Sequence, residues 1–526
     1  MQKLIKWLSW FDDNLVKILA AGFIFLIPLY PKFPLKLIDY TYIAIRFEDL
    51  YVAFLTLISV IQLLRKKIQL NKQFLVPILA FWAAVMLSFL WGAFVQKTVI
   101  YKHLGFLHSL RRIEYSVIFL IITSTIKTKK DFSLYLYCLI LTVILVCLYG
   151  IGQKFLGFPA VQTMNPEFAK GYILYLTPEA RISSTFSGHY DLAAYLVFLL
   201  PIVLGTFFWR KNSLYFLIFA LGLFTLTLTA SRSSSLAYLI SITVFLIFIR
   251  KFKALFVVIV LSVALSLITN SLSSRWAQFL RVKQIYVNEQ TGQVVIPQKI
   301  TTKELPAGSL FVELNKPTEK RTAKTEKLLR EKILDDLRDE ARKSGKTLTA
   351  TEEAQLVATI SAGLRPISTV VSDISFSTRI QVEWPRAIKA FLKNPLLGSG
   401  PSSITEATDG DYFRWLGELG LLGTSIFLFF LFTISKFILQ KIKIFPHLDK
   451  YLYYSFIFAL FGLLINATYI DVFEASKVAY TFWTITGIII GSLSIGNLSH
   501  SGLSLGLVLK TRSEGMNPRA RPEDSL

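Results

Sequence analysis

Residues 192–209 read LAAYLVFLLPIVLGTFFW, without one charged side chain, and Arg210-Lys211 follow at once. An apolar block close to 20 residues matches the thickness of a bilayer's hydrocarbon core. A basic pair just outside such a block is the usual mark of its cytoplasmic end. Residues 74–94 repeat the pattern, and so do blocks along most of the chain. Hydropathy predicts membrane spans over 15–31, 49–64, 74–94, 112–126, 132–156, 189–208, 212–230, 233–249, 254–269, 416–436, 451–469 and 478–496.

Orientation is a separate test of that set. With the N-terminus inside, the inner loops hold Arg65-Lys66-Lys67, Lys127 to Lys130, Arg210-Lys211, Arg250 to Lys253 and Lys436 to Lys443. The tail, with Lys510, Arg512, Arg519 and Arg521, also falls inside. One short outer loop disagrees, because 95–111 carries Lys97, Lys102 and Arg111, with Arg112 next. Either the third and fourth spans have other limits, or those cations face an anionic group.

The 526 residues are 53% hydrophobic, with a formal net charge of +23. The charge does not point to nucleic acid, since no basic stripe interleaves with aromatics on a polar segment. Cys138 and Cys147 share one apolar block and read as packed thiols, not as a disulfide or metal site. Lys3, Lys6 and Lys17 precede an apolar stretch that lacks a small-residue cleavage pattern, so an uncleaved first helix is expected. The expected fold is an all-α polytopic membrane protein of about 12 transmembrane helices. Its divisions are a membrane domain over 1–269, an extracytoplasmic loop over 270–415, further membrane helices over 416–496, and a cytoplasmic tail over 497–526.

The long loop has structure of its own. Residues 284–316 alternate apolar and polar around Tyr286, Val287, Val294, Val295, Ile296 and then Leu310, Phe311, Val312, which predicts a small β-hairpin. Charges alternate in sign over 318–345 around Leu328, Leu329, Ile333, Leu334 and Leu337, which predicts a helix. Thr349 and Glu352 form a capping-box pattern before a second helix over 350–364. The charged insertion at about 283–365 reads as a surface subdomain or as an element that recognises an acceptor.

Ionisable groups near a membrane are costly and call for a partner or a use. Arg181 opens Arg-Ile-Ser-Ser-Thr-Phe-Ser-Gly-His189-Tyr-Asp191 on the outer side. It either holds an anion with its guanidinium and nearby backbone N–H groups, or belongs to a solvated cap closed by Ser187 or Asp191. Arg232, in Thr229-Ala-Ser-Arg-Ser, either snorkels to lipid phosphate or binds a phosphate-bearing substrate. Arg379 and Arg386 fall where 380, 384, 387, 388 and 391 recur as apolar positions, an amphipathic surface helix ended by Pro395, Gly398 and Gly400. Asp409 and Asp411 precede the tenth span and read as caps or as acid–base groups, and Glu418 sits inside an otherwise apolar helix. No Walker loop, GxSxG, CxxC or His/Cys ligand cluster occurs, so neither ATP nor a metal is indicated, and only His189 among the histidines adjoins such a motif.

Arg-Ile-Ser-Ser-Thr-Phe-Ser (181–187), Thr-Ala-Ser-Arg-Ser (229–233), Arg379 through Asn394-Pro-Leu-Leu-Gly-Ser-Gly400, and Tyr412-Phe-Arg-Trp-Leu-Gly-Glu-Leu-Gly-Leu-Leu-Gly423 occur in that order. Together they resemble the O-antigen ligase and Wzy-type polymerase superfamily of bacterial envelope glycosyltransferases, over roughly 180–435. The resemblance implies a GT-C-like enzyme of the bacterial cytoplasmic membrane, with both termini cytoplasmic. Such an enzyme transfers a glycan from undecaprenyl diphosphate, at the outer face, to an acceptor sugar on a glycan, glycolipid or protein. Arg181, Arg232 and Arg379 would then bind the diphosphate, Asp409 or Asp411 would act as base, and Arg386, Glu418 and His189 would support them. No cofactor is implied. The family places His-Asn where this chain has Asp409-Gly410. There a carboxylate either replaces the imidazole, binds a divalent ion, or marks lost activity. A lipid-linked oligosaccharide transporter is the alternative, though no internal repeat supports it. A non-catalytic scaffold whose loop binds partners is another.

Overall fold

A computed structural model describes residues 2–38, 44–163, 170–177, 180–269, 282–288, 294–295, 323–344, 349–362, 364–370, 379–404 and 408–495. Nine helices come first: α1 (Gln2–Leu29), α2 (Phe47–Leu64), α3 (Lys72–Leu90), α4 (Lys102–Thr125), α5 (Lys129–Phe155), α6 (His189–Arg210), α7 (Ser213–Leu228), α8 (Arg232–Phe248) and α9 (Phe252–Thr269). The charged helices α10 (Ala323–Ser344) and α11 (Ala350–Ala362) follow, then α12 (Trp384–Lys393), α13 (Asp411–Lys441), α14 (His447–Asn466) and α15 (Ser476–Leu493). Each expected span falls on a helix. Six of the described helices (α2, α3, α5, α6, α9 and α13) are long and apolar enough to cross a membrane by themselves, while α7 and α8 are apolar but shorter. The chain is a helical membrane protein.

Polar caps start several of these helices. Thr128 and Asp131 form a capping box on α5, and Asn71 and Asn212 accept N–H groups at the starts of α3 and α7. The bundle packs around α6, whose apolar stretch is 89% buried, against 11% for α9. A central helix of a membrane bundle is apolar on every face because neighbours cover all of it.

The basic loops gather at one end. Arg65 bonds Asp12 at 2.7 Å, Lys67 bonds Asp13 at 2.6 Å, and Lys17 pairs with Asp131 at 2.6 Å. Trp209 donates to Asp449 at 2.8 Å, and Lys251 lies 5.6 Å from the Tyr451 ring.

The discordant outer loop is explained by different helix limits. α4 begins at Lys102, ten residues earlier than expected, and α3 runs on into a π-turn over Trp91–Val95. Two of the four cations meet carboxylates inside the protein. Arg111 pairs with Asp49 at 3.0 Å, and Arg112 with Glu418 at 2.6 Å and Glu474 at 2.7 Å. Hydropathy cannot find a helical turn whose charges are neutralised by distant partners. α1 likewise begins earlier than expected, with Trp7, Trp10 and Phe11 exposed along its first turns.

In the insertion, β5 (Val282–Asn288) pairs antiparallel with β6 (Val294–Val295), which is the expected hairpin. β5 also pairs along its length with an unexpected strand, β7 (Leu364–Val370). Residues 310–312 lie outside the described residues. Tyr286, Leu329, Ile333, Val357 and Leu364 form a small core of their own. The Thr349–Glu352 capping box is present, with Thr349 N–H donating to Glu352 at 2.8 Å. The strands earlier in the chain are a short pair, β1 (Pro34–Leu37) and β2 (Ala44–Arg46), and another, β3 (Pro159–Ala160) and β4 (Leu174–Tyr175).

α13 is broken at Gly420, where φ is +63°. The turn over 394–400 enters the break. Ser399 N–H donates to Gly417 O at 2.8 Å, Gly400 N–H to Glu418 O at 3.0 Å, and Leu421 N–H to Pro395 O at 2.8 Å. A Cβ on Gly420 would lie 2.5 Å from Gly398 N and from Leu396 O, so both the left-handed backbone and the close approach require glycine.

Candidate functional site

The site lies where α6, the π-turn before α12, the start of α13 and the α14–α15 turn meet. Arg379 begins the π-turn Arg379–Glu383 and is 2% exposed. Its Nε donates to Tyr469 O at 2.8 Å, and its guanidinium lies 4.2 Å from the Tyr469 ring and 5.6 Å from the Tyr190 ring. It also forms an ion pair with Asp409. Asp409 is the accessible partner, with a 37% exposed side chain.

Asp409 is held by its backbone. Its N–H donates to Glu383 Oε2 at 2.8 Å, and its carbonyl accepts from Trp384 Nε1 at 3.0 Å. Trp384 stacks on Phe413 with centroids 4.6 Å apart. Gly410, with φ +98°, turns the chain into α13 in a conformation that L side chains rarely adopt. The glycine of the Asp409-Gly410 pair therefore has a backbone reason.

Arg181 reaches the same ground from the other side. It contacts Nε2 of His189, and its guanidinium lies 6.0 Å from the Tyr190 ring. The His189 and Tyr190 rings are 4.1 Å apart. One tyrosine thus stands between two guanidinium groups from distant parts of the sequence, and aromatic faces attract such cations. Arg232 is the first residue of α8. Ser234 donates to Asn466 at 3.2 Å, which sets the start of α8 beside the turn that leads to Tyr469.

Other expected site residues are committed elsewhere. The fully buried Asp411 accepts from Val472 N–H at 2.7 Å and Phe473 N–H at 3.2 Å, so it caps the α14–α15 turn. Glu418 is sealed against Arg112 and also accepts from Ser402 N–H at 3.0 Å. Arg386 is half-buried on α12. The N–H groups of Ser183 and Ser184 both go to Gln153 Oε1, at 3.2 and 2.7 Å, so neither is offered to an anion. Ser187 bonds Asp191, and Gly188 occupies the cap position of α6. Among the described residues no three His, Cys, Asp or Glu side chains are arranged to hold a metal ion.

Several residues of this region carry no sequence signal. Glu383 is 8% exposed, and burial, followed by the nearby Asp409 carboxylate, pushes its pKa up to about 7. Arg414 joins Asp471 at 2.8 Å and Thr408 O at 2.6 Å, which fixes the residue before Asp409. The buried Lys477 ammonium donates to the carbonyls of Pro28, Tyr30 and Thr185, tying the Arg181 loop to α1. Lys32, in the loop after α1, donates to Ser476 at 2.8 Å, and burial pushes its pKa down to about 8. The spacing from 380 to 384 is an ordinary helical step, so the π-turn over Arg379–Glu383 also carries no sequence signal.

Residues 216–428 match the family model described as O-antigen ligase. Over that stretch the chain is similar to the O-antigen ligase family. The matched stretch includes Arg232, Arg379, Asp409 and the glycine-locked break in α13; Arg181, Tyr190 and Tyr469 lie outside it. No curated protein matches the chain.

Proposed function

We propose that this chain transfers a glycan from undecaprenyl diphosphate to an acceptor sugar at the outer face of the bacterial cytoplasmic membrane. The observation that carries the reading is the convergence of Arg181 and Arg379 on Tyr190, with the accessible Asp409 paired to Arg379. The acceptor hydroxyl attacks the anomeric carbon of the donor sugar as the bond to the diphosphate oxygen breaks. The electron pair leaves with the lipid diphosphate, whose growing charge Arg379, Arg181 and Arg232 stabilise. The hydroxyl proton passes to Asp409, because an unassisted alcohol is a poor nucleophile. Arrival of the diphosphate on Arg379 competes with Asp409 and releases that carboxylate to act. Asp411 and Glu418 serve the frame, and no cofactor is called on.

In this reading twelve helices span the membrane, both termini are cytoplasmic, and the loop between α9 and α13 is extracytoplasmic. The acceptor is a glycan, glycolipid or protein. The test measures consumption of lipid-linked glycan in membranes carrying Arg379→Ala or Arg232→Ala. Turnover should fall by about 10²–10³-fold in each, with insertion unchanged. Wild-type turnover in both variants removes the arginines from the mechanism.

A further inference from the structure

The first halves of α2 and α4 and the hairpin before α2 enclose an open-sided cavity of about 410 Å³. Its walls are largely apolar, with Val52 and Ala53 from α2 and Leu104, Leu107 and Val117 from α4. Leu50, Phe54 and Leu57 on α2 and Phe106 and Leu110 on α4 are exposed beside it, so the opening faces hydrocarbon. An unfilled apolar groove there would forfeit the contacts that close packing supplies.

Four titratable groups line the same space, Asp49, His108, Arg111 and Glu114, together with the Thr56 hydroxyl. Glu114 is engaged by the Tyr480 hydroxyl at 2.5 Å, deeper in the bundle. Arg111 donates through Nη2 to Asp49 at 3.0 Å. Nε2 of His108 is buried and, among the described residues, has no hydrogen-bond partner. A buried ring nitrogen without a partner is costly and marks a place for an incoming polar group. Cation and carboxylate stand side by side, Asp49 in the first turn of α2 and Arg111 in the first half of α4. Both lie toward the ends that the proposed orientation sets at the outer leaflet, where a lipid headgroup would lie. That pair matches a headgroup carrying both signs. A guanidinium takes phosphate oxygens, and a carboxylate accepts from a primary ammonium.

We infer that this groove is a binding site for a phospholipid with a phosphate and a primary ammonium in its headgroup, of the phosphatidylethanolamine type. One hydrocarbon chain lies between α2 and α4, the phosphate meets Arg111 and His108, and the ammonium meets Asp49. The site uses none of Arg181, Arg232, Arg379 or Asp409, and it stands or falls independently of the glycan-transfer reading.

The test is native mass spectrometry of the purified full chain, delipidated and then titrated with phosphatidylethanolamine, phosphatidylcholine or phosphatidylglycerol. Wild type should retain one phosphatidylethanolamine about tenfold more strongly than either other lipid, a difference of one decade in binding constant. Ala53→Trp, which fills the groove from an exposed position, should abolish that retention. Asp49→Asn should erase the preference over phosphatidylcholine, whose quaternary ammonium offers no N–H. Leu57→Trp, on the lipid-facing side of α2 outside the cavity, should retain the lipid as wild type does. Equal retention of all three lipids by wild type, a preference for phosphatidylglycerol, or undiminished retention by Ala53→Trp would each overturn the assignment. The wild-type comparison needs no variant to fold.

Discussion

Arg379 and Arg112 are nearly equally buried, at 2% and 4% exposure, and each meets a carboxylate, yet the two arrangements differ in kind. Arg112 is closed between Glu418, 1% exposed, and Glu474, 13% exposed. Arg379 meets Asp409, whose side chain is 37% exposed. The first arrangement can only hold the fold together, because a ligand would have to unpack the bundle to reach it. The second can exchange its carboxylate for an incoming anion. Accessibility of the acid, not burial of the base, separates a frame from a site.

The sharpest way to break this contrast is at the sealed pair. Glu418→Ala leaves the Arg112 guanidinium buried beside a vacancy, which should cost about 3–5 kcal/mol. Folded protein recovered by size-exclusion chromatography should fall steeply. Recovery at wild-type levels would show that the pair is not structural. At the open pair the effect should appear in turnover instead. Arg379→Lys keeps the charge but loses the fork and the aromatic stacking, so about tenfold or more of the activity should go while recovery stays near wild type. Full activity in the lysine variant would mean that point charge alone suffices.

The smallest effect concerns the residue that holds Asp409 from behind. The Glu383 pKa is raised from 4.5 to about 7, so the fold favours its neutral form. Its contribution is whole below about pH 4.5 and lost as pH rises through about 7, at most about 3 kcal/mol. Melting temperature in detergent should decline across that window in wild type and stay flat in Glu383→Gln. Parallel curves for the two proteins would remove Glu383 from the balance.

The helices were legible because each carries its own evidence. Lipid-length apolar runs, the Thr128–Asp131 and Thr349–Glu352 caps and the basic loops are local patterns, and the structure repeats them with shifted ends. The order of the motifs also led to the family whose model matches residues 216–428. What the sequence could not yield was partnership. Arg112 and Glu418 are 306 residues apart, and no local rule joins them. Asp409 and Asp411 look equivalent two residues apart, but one faces the site and the other is spent on the N–H groups of Val472 and Phe473. Tyr190 and Tyr469 pass in sequence as ordinary interfacial aromatics and gain meaning only beside two guanidinium groups.

The splice between the 394–400 turn and α13 has a mechanical consequence. By lending carbonyls to another segment, α13 gives up continuity at one point and becomes a jointed rod, with α12 bolted to the joint through Pro395, Ser399 and Gly400. A tilt of its outer part must drag α12 along. Trp384 and Glu383, at the far end of that short lever, would then reposition the carboxylate they grip.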